Sequence, residues 1–448
     1  MDFSRSYKYY ALGCLTFVYA LHGVDRGLII LLLQPIKNDL HLSDTELGFL
    51  TGIAFGLFYA TLGLPVARWA DRGNRATITS IAIGVWSITV MACMLVTNFY
   101  QLVIARIAAG VGESGCMPPT YSLLGDYFPD AQQRTRAMSV YWLGGPLSSL
   151  ASFVVGGWLN DAYGWRMTFL LMGAPGLLIA VLVKLTIAEP RKLVVGAVPP
   201  AVRLPGAQRV LAAMWRQPSS RHLSLGVILL FVVGSGMGPW YAAFMSRSHG
   251  MSTTELGIWL GLINGCGGIA GMLLGGYVSG RWFAHNERGQ VRLSAASTGL
   301  MVPFFVLFLT LPRKEAALLV LLPLSVLWCF FAGPAFALLQ RLVAQDMRAT
   351  TLAVIMLLAN LIGMGVGPQV VGILSDVLTP SLGRDALRYA MLTMSLVALW
   401  SAYHFWRVGE TVRQDLAAMT RGDCSSNDSP SGSVALTLEQ EPRSCRDR

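Results

Sequence analysis

Ser43-Asp44-Thr45-Glu46-Leu47-Gly48, followed by Gly52 and Gly56, recurs 209 residues later as Ser252-Thr253-Thr254-Glu255-Leu256-Gly257, followed by Gly261 and Gly265. Each copy opens an apolar stretch of about the 20 residues a helix needs to cross a hydrocarbon core. A second echo, Gly157-Trp158-Leu159-Asn160-Asp161 against Gly372-Ile373-Leu374-Ser375-Asp376, closes two further apolar stretches. Two matching pairs in the same order, offset by 209 and 215 residues, predict a duplicated chain whose halves run in the same orientation.

Working outward, apolar blocks near 9–35, 46–68, 77–97, 100–125, 137–159 and 167–187 make one half. Blocks near 222–246, 255–281, 293–311, 316–339, 349–374 and 387–407 make the other. The predicted fold is an all-α membrane protein of twelve transmembrane helices in two pseudo-symmetric six-helix bundles, residues 1–188 and 222–410. Composition agrees: the 448 residues are 54% hydrophobic and only 13% charged, against about 25% charged in soluble domains. That excludes a soluble enzyme. The first block is too long for a signal peptide, carries Asp25 and Arg26, and lacks a small-x-small cleavage site, so it reads as a retained span. The glycine stripes, such as Gly48-Gly52-Gly56, suit helices in close approach.

The net charge of +10 could suggest a nucleic-acid binder, but no basic cluster with interleaved aromatics is present. Topology accounts for it instead. With the N-terminus inside, cytoplasmic segments hold 25 Lys and Arg and external loops 7. The positive-inside rule then places both termini in the cytoplasm of a multi-pass cell-membrane protein, the inner membrane in a Gram-negative cell. The cysteines show no metal or redox spacing. No cofactor or metal is expected.

Residues 189–221 are Pro-rich and basic. Within them Arg209, Arg216 and Arg221 flank Val210, Leu211, Met214 and Trp215, the pattern of a simple linker or of a short helix lying on an anionic inner leaflet. Residues 411–448 are polar and read as a disordered cytoplasmic tail.

A charged side chain at a span centre costs about 2.5–3.5 kcal/mol on insertion scales, so intramembrane ions need a reason. Asp25 and Arg26 in the first span and Arg106 and Glu113 in the fourth stand out, and their charges cancel. The second half offers only neutral counterparts such as Asn264 and Asn360. Helical spacing puts Tyr19, His22 and Arg26 on one face, which points Arg26 toward a cavity. One reading is a static ion-pair clamp between the two spans. The other is a site where Arg26 and Arg106 take an anionic group while Asp25 or Glu113 exchanges a proton. Burial favours the neutral carboxyl and a neighbouring guanidinium the charged one, so anion occupancy of the arginine promotes protonation. Candidate cavity residues besides Tyr19, His22 and the arginines are Phe55, Phe58, Tyr59, Met117, Tyr141, Trp142, Ser148, Ser152, Trp240, Tyr241, Asn264, Phe330, Phe331 and Asn360, many of which will face lipid or core instead.

These features resemble the major facilitator superfamily over about residues 7–410, with Asp71-Arg72-Gly73-Asn74-Arg75 similar to its signature inner loop. Two departures are Asn74 in place of the usual glycine and Gly280-Arg281 in the second half. The first half resembles the spinster group of lysolipid and sphingosine-phosphate transporters: Asp25-Arg26, the inner loop, Arg106 with Gly110-Val111-Gly112-Glu113-Ser114, Pro119, and Leu124-Gly125-Asp126-Tyr127-Phe128. The resemblance implies alternating access. Asp71, Arg72, Arg75 and Arg136 are then gate residues, with Asp71 placed near the N-terminus of span 11, around Ala349, where the helix dipole favours a carboxylate.

The expected function is a secondary active transporter, monomeric and driven by a proton gradient, moving lysolipid or sphingoid-type amphiphiles. Organic-anion symporters also carry Asp-Arg in span 1 and Gly-x-x-Glu in span 4, so a sugar-acid or carboxylate:proton symporter is the alternative. A non-transporting membrane receptor is a remote one. An enzyme is not expected, because no nucleophile with base and orienter and no nucleotide-binding motif is present.

Overall fold

The computed structural model describes residues 3–190, 206–283, 286–344 and 347–427, with side chains left undescribed in a few helical stretches, including most of 59–72. Every regular element among the described residues is helical. Among the described residues eight stretches are apolar and long enough to cross a membrane, and two of these, Gln132–Thr186 and Thr350–Met419, each hold two passes. The helical runs Asp44–Arg72 and Phe99–Tyr127 supply the remaining two of twelve spans.

In chain order, span 1 runs Arg5–His22 and Val24–Leu31, span 2 Asp44–Thr51 and Ile53–Arg72, span 3 Arg75–Ala92, and span 4 Phe99–Ser114 and Met117–Tyr127. Spans 5 and 6 begin at Ala131 and end at Thr186, broken at Gly164. Span 7 is Pro218–Met237 continued by Trp240–His249, span 8 Thr253–Trp282, span 9 Glu287–Thr310 and span 10 Lys314–Phe330 with Ala332–Arg341. Span 11 runs from Arg348 to Leu382, and span 12 is Ala386–Ser395 with Val397–Asn427. The duplication extends to irregularities: spans 5 and 11 each carry a π-helical stretch, Ala151–Val155 and Ala359–Val366, and such widened turns concentrate at functional sites.

The tail departs from expectation. Helix continues through Asn427 where polarity suggested disorder from 411. Val412 is fully buried, and Asp415 accepts the Ser219 backbone N–H at the start of span 7, 2.9 Å away, so this last helix is anchored on the second half. Residues 428–448 lie outside the described residues.

Contacts between the halves are concentrated at one end and the middle of the bundle, where spans 2 and 11 meet and spans 5 and 8 meet. The segments at the opposite end, 117–127, 131–142, 332–341 and 348–358, pack within their own halves. The bundle is closed at the end holding Asp44 and Thr253 and parted at the end holding Arg75.

Candidate functional site

At the closed end the two sequence echoes are each other's partners. Asp376, ending the span 11 motif, accepts the Asp44 and Thr45 backbone N–H groups at the start of span 2, at 3.0 and 2.7 Å. Asp161, in the span 5 motif, does the same for Thr253 and Thr254 at the start of span 8, at 3.3 and 2.7 Å. Each helix therefore has its orphan N–H groups and positive dipole end satisfied by a carboxylate from the other half. The chains approach this closely because Gly372 and Gly157 lie against the backbone carbonyls of Asp44 and Thr253, which a Cβ would strike.

Asp44 adds a second layer. Its carboxylate accepts Lys37 at 2.5 Å, Arg247 at 2.7 Å and Ser375 at 2.6 Å. Burial pushes its pKa up, but the bonds and charge of Arg247 and Lys37, with the Ser375 bond, outweigh that and lower it to about 2. Asp161 is lowered too: burial opposes, and hydrogen bonds from Thr253 and Thr254 prevail. Carboxylates with depressed pKa values stabilise the closed end above their ordinary range, and that contribution is lost only as pH falls through the folded value, about 2 for Asp44. Asp44 and Asp161 thus stay charged between about pH 5 and 8, and their contribution to closure is constant there.

Behind this closure lies a cavity of about 390 Å³ between the halves. Arg26, Phe55 and Arg106 line it from the first half, and Ser235, Tyr241, Asn264, Phe305, Ser325 and Trp328 from the second. Arg26 donates from Nε and Nη2 to Glu113 Oε2 at 2.9 and 2.6 Å. Arg106 donates to Asp25 Oδ2. Both pairs tie span 1 to span 4, and the Phe55 ring joins them, its centroid 4.6 Å from the Arg26 guanidinium and 5.0 Å from that of Arg106. The pairs differ in access. Asp25, Arg106 and Glu113 are all but completely buried, whereas the Arg26 side chain is 28% exposed. His22 Nε2 lies 3.5 Å from Glu113 Oε2.

Two oxygens in this cluster, Asp25 Oδ1 and Glu113 Oε1, are buried without a hydrogen-bond partner. A buried carboxylate oxygen accepting nothing is costly. It is also where an added proton displaces no existing bond.

Of the remaining sequence candidates, Asn264 lines the cavity. Tyr19 and Tyr141 stack on each other at 4.9 Å between spans 1 and 5, and Ser148 is buried against Gly23. Asn360 donates to the Met356 carbonyl 2.8 Å away, within its own helix. Phe58 and Met117 are half-buried outside the cavity lining. Sequence reasoning missed Phe305, Trp328 and the pair of inter-half caps; the echoes signalled the caps, but nothing in a single sequence shows that motif one of each half meets motif two of the other.

At the parted end Arg75 is fully buried. It bonds Glu189, the first residue after the first half, and within that half donates to Asp126 at 2.6 Å and to Ser122 at 2.7 Å. Arg136 is exposed, and the Asp71 and Arg72 side chains lie outside the described residues. Arg75→Ala removes the buried guanidinium that bonds Glu189, Asp126 and Ser122 together and is expected to cost about 3–5 kcal/mol. A thermal melt checks this; a melting temperature equal to the parent's would refute a structural role.

The major facilitator superfamily model matches residues 15–368. An MFS-type efflux pump of Mycolicibacterium smegmatis is 32% identical over 92% of this chain and 95% of its own. Protein spinster homolog 1 of Xenopus laevis is 24% identical over 90% and 80%, and a hexuronate transporter of Bacillus subtilis 25% over 80% and 85%. Among solved structures, a bacterial homolog of the human lysosomal transporter spinster, inward-facing and unoccupied, superposes with a TM-score of 0.80 at 27% identity, covering 92% of this chain and 99% of the other. Fold and family are those of membrane transporters rather than enzymes. The chain belongs to the major facilitator superfamily and is spinster-like within it.

Proposed function

We propose that this transporter moves amphiphiles with an anionic head, lysolipids or sphingoid phosphates, together with a proton, by alternating access in the cell membrane. The observation that carries the reading is Arg26: the most open member of a neutral four-ion cluster, held by Glu113, on the wall of a cavity lined mainly by apolar and aromatic side chains, with Arg106 beside it and neutral polar groups such as Asn264 and Ser325 opposite. An anionic head that bonds Arg26 competes with Glu113 for the same guanidinium. Glu113, buried and relieved of its counter-ion, then favours the protonated state. Substrate and proton are bound together, and the cluster stays neutral through the cycle. Phe305, Trp328 and Tyr241 supply an apolar wall for the tail.

The basic-loop bias assigns the parted end to the cytoplasm, with both termini there, so the described conformation is inward-open. The likeness to an inward-facing spinster homolog supports this. The chain acts as a monomer, each copy holding a complete cavity between its own halves.

A hexuronate transporter among the relatives favours a second reading, a small carboxylate:proton symporter. A thermal-shift comparison separates them. Lysophosphatidic acid at a hundred times its Kd adds about 2.7 kcal/mol of stability and raises the melting temperature, while glucuronate does not. Stabilisation by glucuronate alone would overturn the amphiphile reading.

A further inference from the structure

The segment joining the halves contains an isolated helix, Ala207–Arg216, which the transport mechanism does not use. It packs on the start of span 7 and on 348–358, the parted-end segment of span 11. Val210 and Met214, one turn apart, are buried in that contact. Leu211 and Trp215, about 100° further round the helix, are 43% and 56% exposed. Arg209 and Arg216 lie on the remaining side, both exposed, and the helix has no acidic residue. Arg221 and Arg348 lie in the first turns of the neighbouring segments.

The helix thus has three faces: one docked on the protein, one apolar and uncovered, one basic. An apolar strip of Leu and Trp flanked by arginines, at the level where two membrane spans begin, matches the bilayer interface in depth and charge. We propose that this helix lies in the cytoplasmic membrane interface, Leu211 and Trp215 inserted among acyl chains and Arg209 and Arg216 binding anionic lipid headgroups. It thereby ties the parted end of span 11, a segment that must move when the halves close there, to the charge of the leaflet.

The test uses the full-length chain, its native cysteines replaced, with a fluorophore attached through Leu211→Cys or, about 200° away, through Ala213→Cys. The protein is reconstituted with brominated phosphatidylcholine or brominated phosphatidylglycerol. Quenching is expected to be stronger at position 211 than at 213. Phosphatidylglycerol is expected to quench at lower mole fraction than phosphatidylcholine, and Arg209→Gln and Arg216→Gln to weaken that preference about fivefold each. Equal quenching by the two lipids overturns the headgroup assignment. Stronger quenching at 213, or none at 211, overturns the orientation. The comparison of lipids on the parent chain needs no arginine variant, so a variant that fails to fold does not spare the proposal.

Discussion

Glu113→Gln is expected to slow pH-driven transport in proteoliposomes at least tenfold and to flatten its pH dependence. The variant keeps the shape of the side chain and removes the group that can alternate between carboxylate and acid. Glu113 accepts two charge-assisted bonds from Arg26, and bonds to charged groups are worth about 1.5–3 kcal/mol each. Losing their alternation costs at least about 1.4 kcal/mol at the transition between states, a factor of ten. Asp25→Asn is expected to behave differently. Its partner Arg106 is only 2% exposed, so the variant leaves a buried cation unpaired and destabilises the protein by about 3–5 kcal/mol. Glu113→Gln leaves Arg26, which reaches the cavity, and should melt near the parent. Flux measured across a range of pH, alongside thermal melts, checks both. Transport and pH dependence intact in both variants would leave only a static clamp.

The second large effect is at the closed end. Asp161→Ala with Asp376→Ala should shift the population toward the state open at that end by about thirtyfold. Each carboxylate caps a helix of the opposite half, an arrangement that exists only while the halves touch there. A cap is worth about 1 kcal/mol, so two lost caps change the conformer ratio by about 2 kcal/mol. Because the caps are pseudo-symmetric, either single variant should give about half of that free energy. Spin labels at Tyr163→Cys and Arg313→Cys, in loops of opposite halves at this end, report the change as a longer distance population. Identical distance distributions in parent and double variant would refute the caps as the latch. Since Asp44 and Asp161 are held below the ordinary carboxylate range, loss of the caps in the double variant should shift the distribution by the same factor at about pH 5 and about pH 8.

Much of this architecture is legible in the chain itself. Long apolar blocks and the 209-residue repeat specify two six-span halves, because a bilayer admits few alternatives to helices at such lengths. The four intramembrane ions stand out for the same reason: charge there is expensive. Pairing is what the sequence leaves open. Helical spacing points Arg26 toward a cavity but does not show that Arg26 takes Glu113 and Arg106 takes Asp25, since that depends on how spans 1 and 4 rotate against each other. The neutral aromatics are least legible. Trp328 and Tyr141 are alike in type, yet one lines the cavity and the other is stacked on Tyr19, a difference set by packing rather than by residue type. The helical extension past 410 is hard to see in the sequence because its buried residues, Val412 among them, are sparse in a polar run.

Whether substrate and proton share one site is answered most directly by proton uptake on binding. Lysophosphatidic acid is added to purified protein in weakly buffered detergent near neutral pH, and the pH change is recorded against a protein-free control. A shared site predicts uptake of protons in step with ligand bound, and none in Glu113→Gln although that variant still binds. Saturable binding to the parent without proton uptake would contradict it.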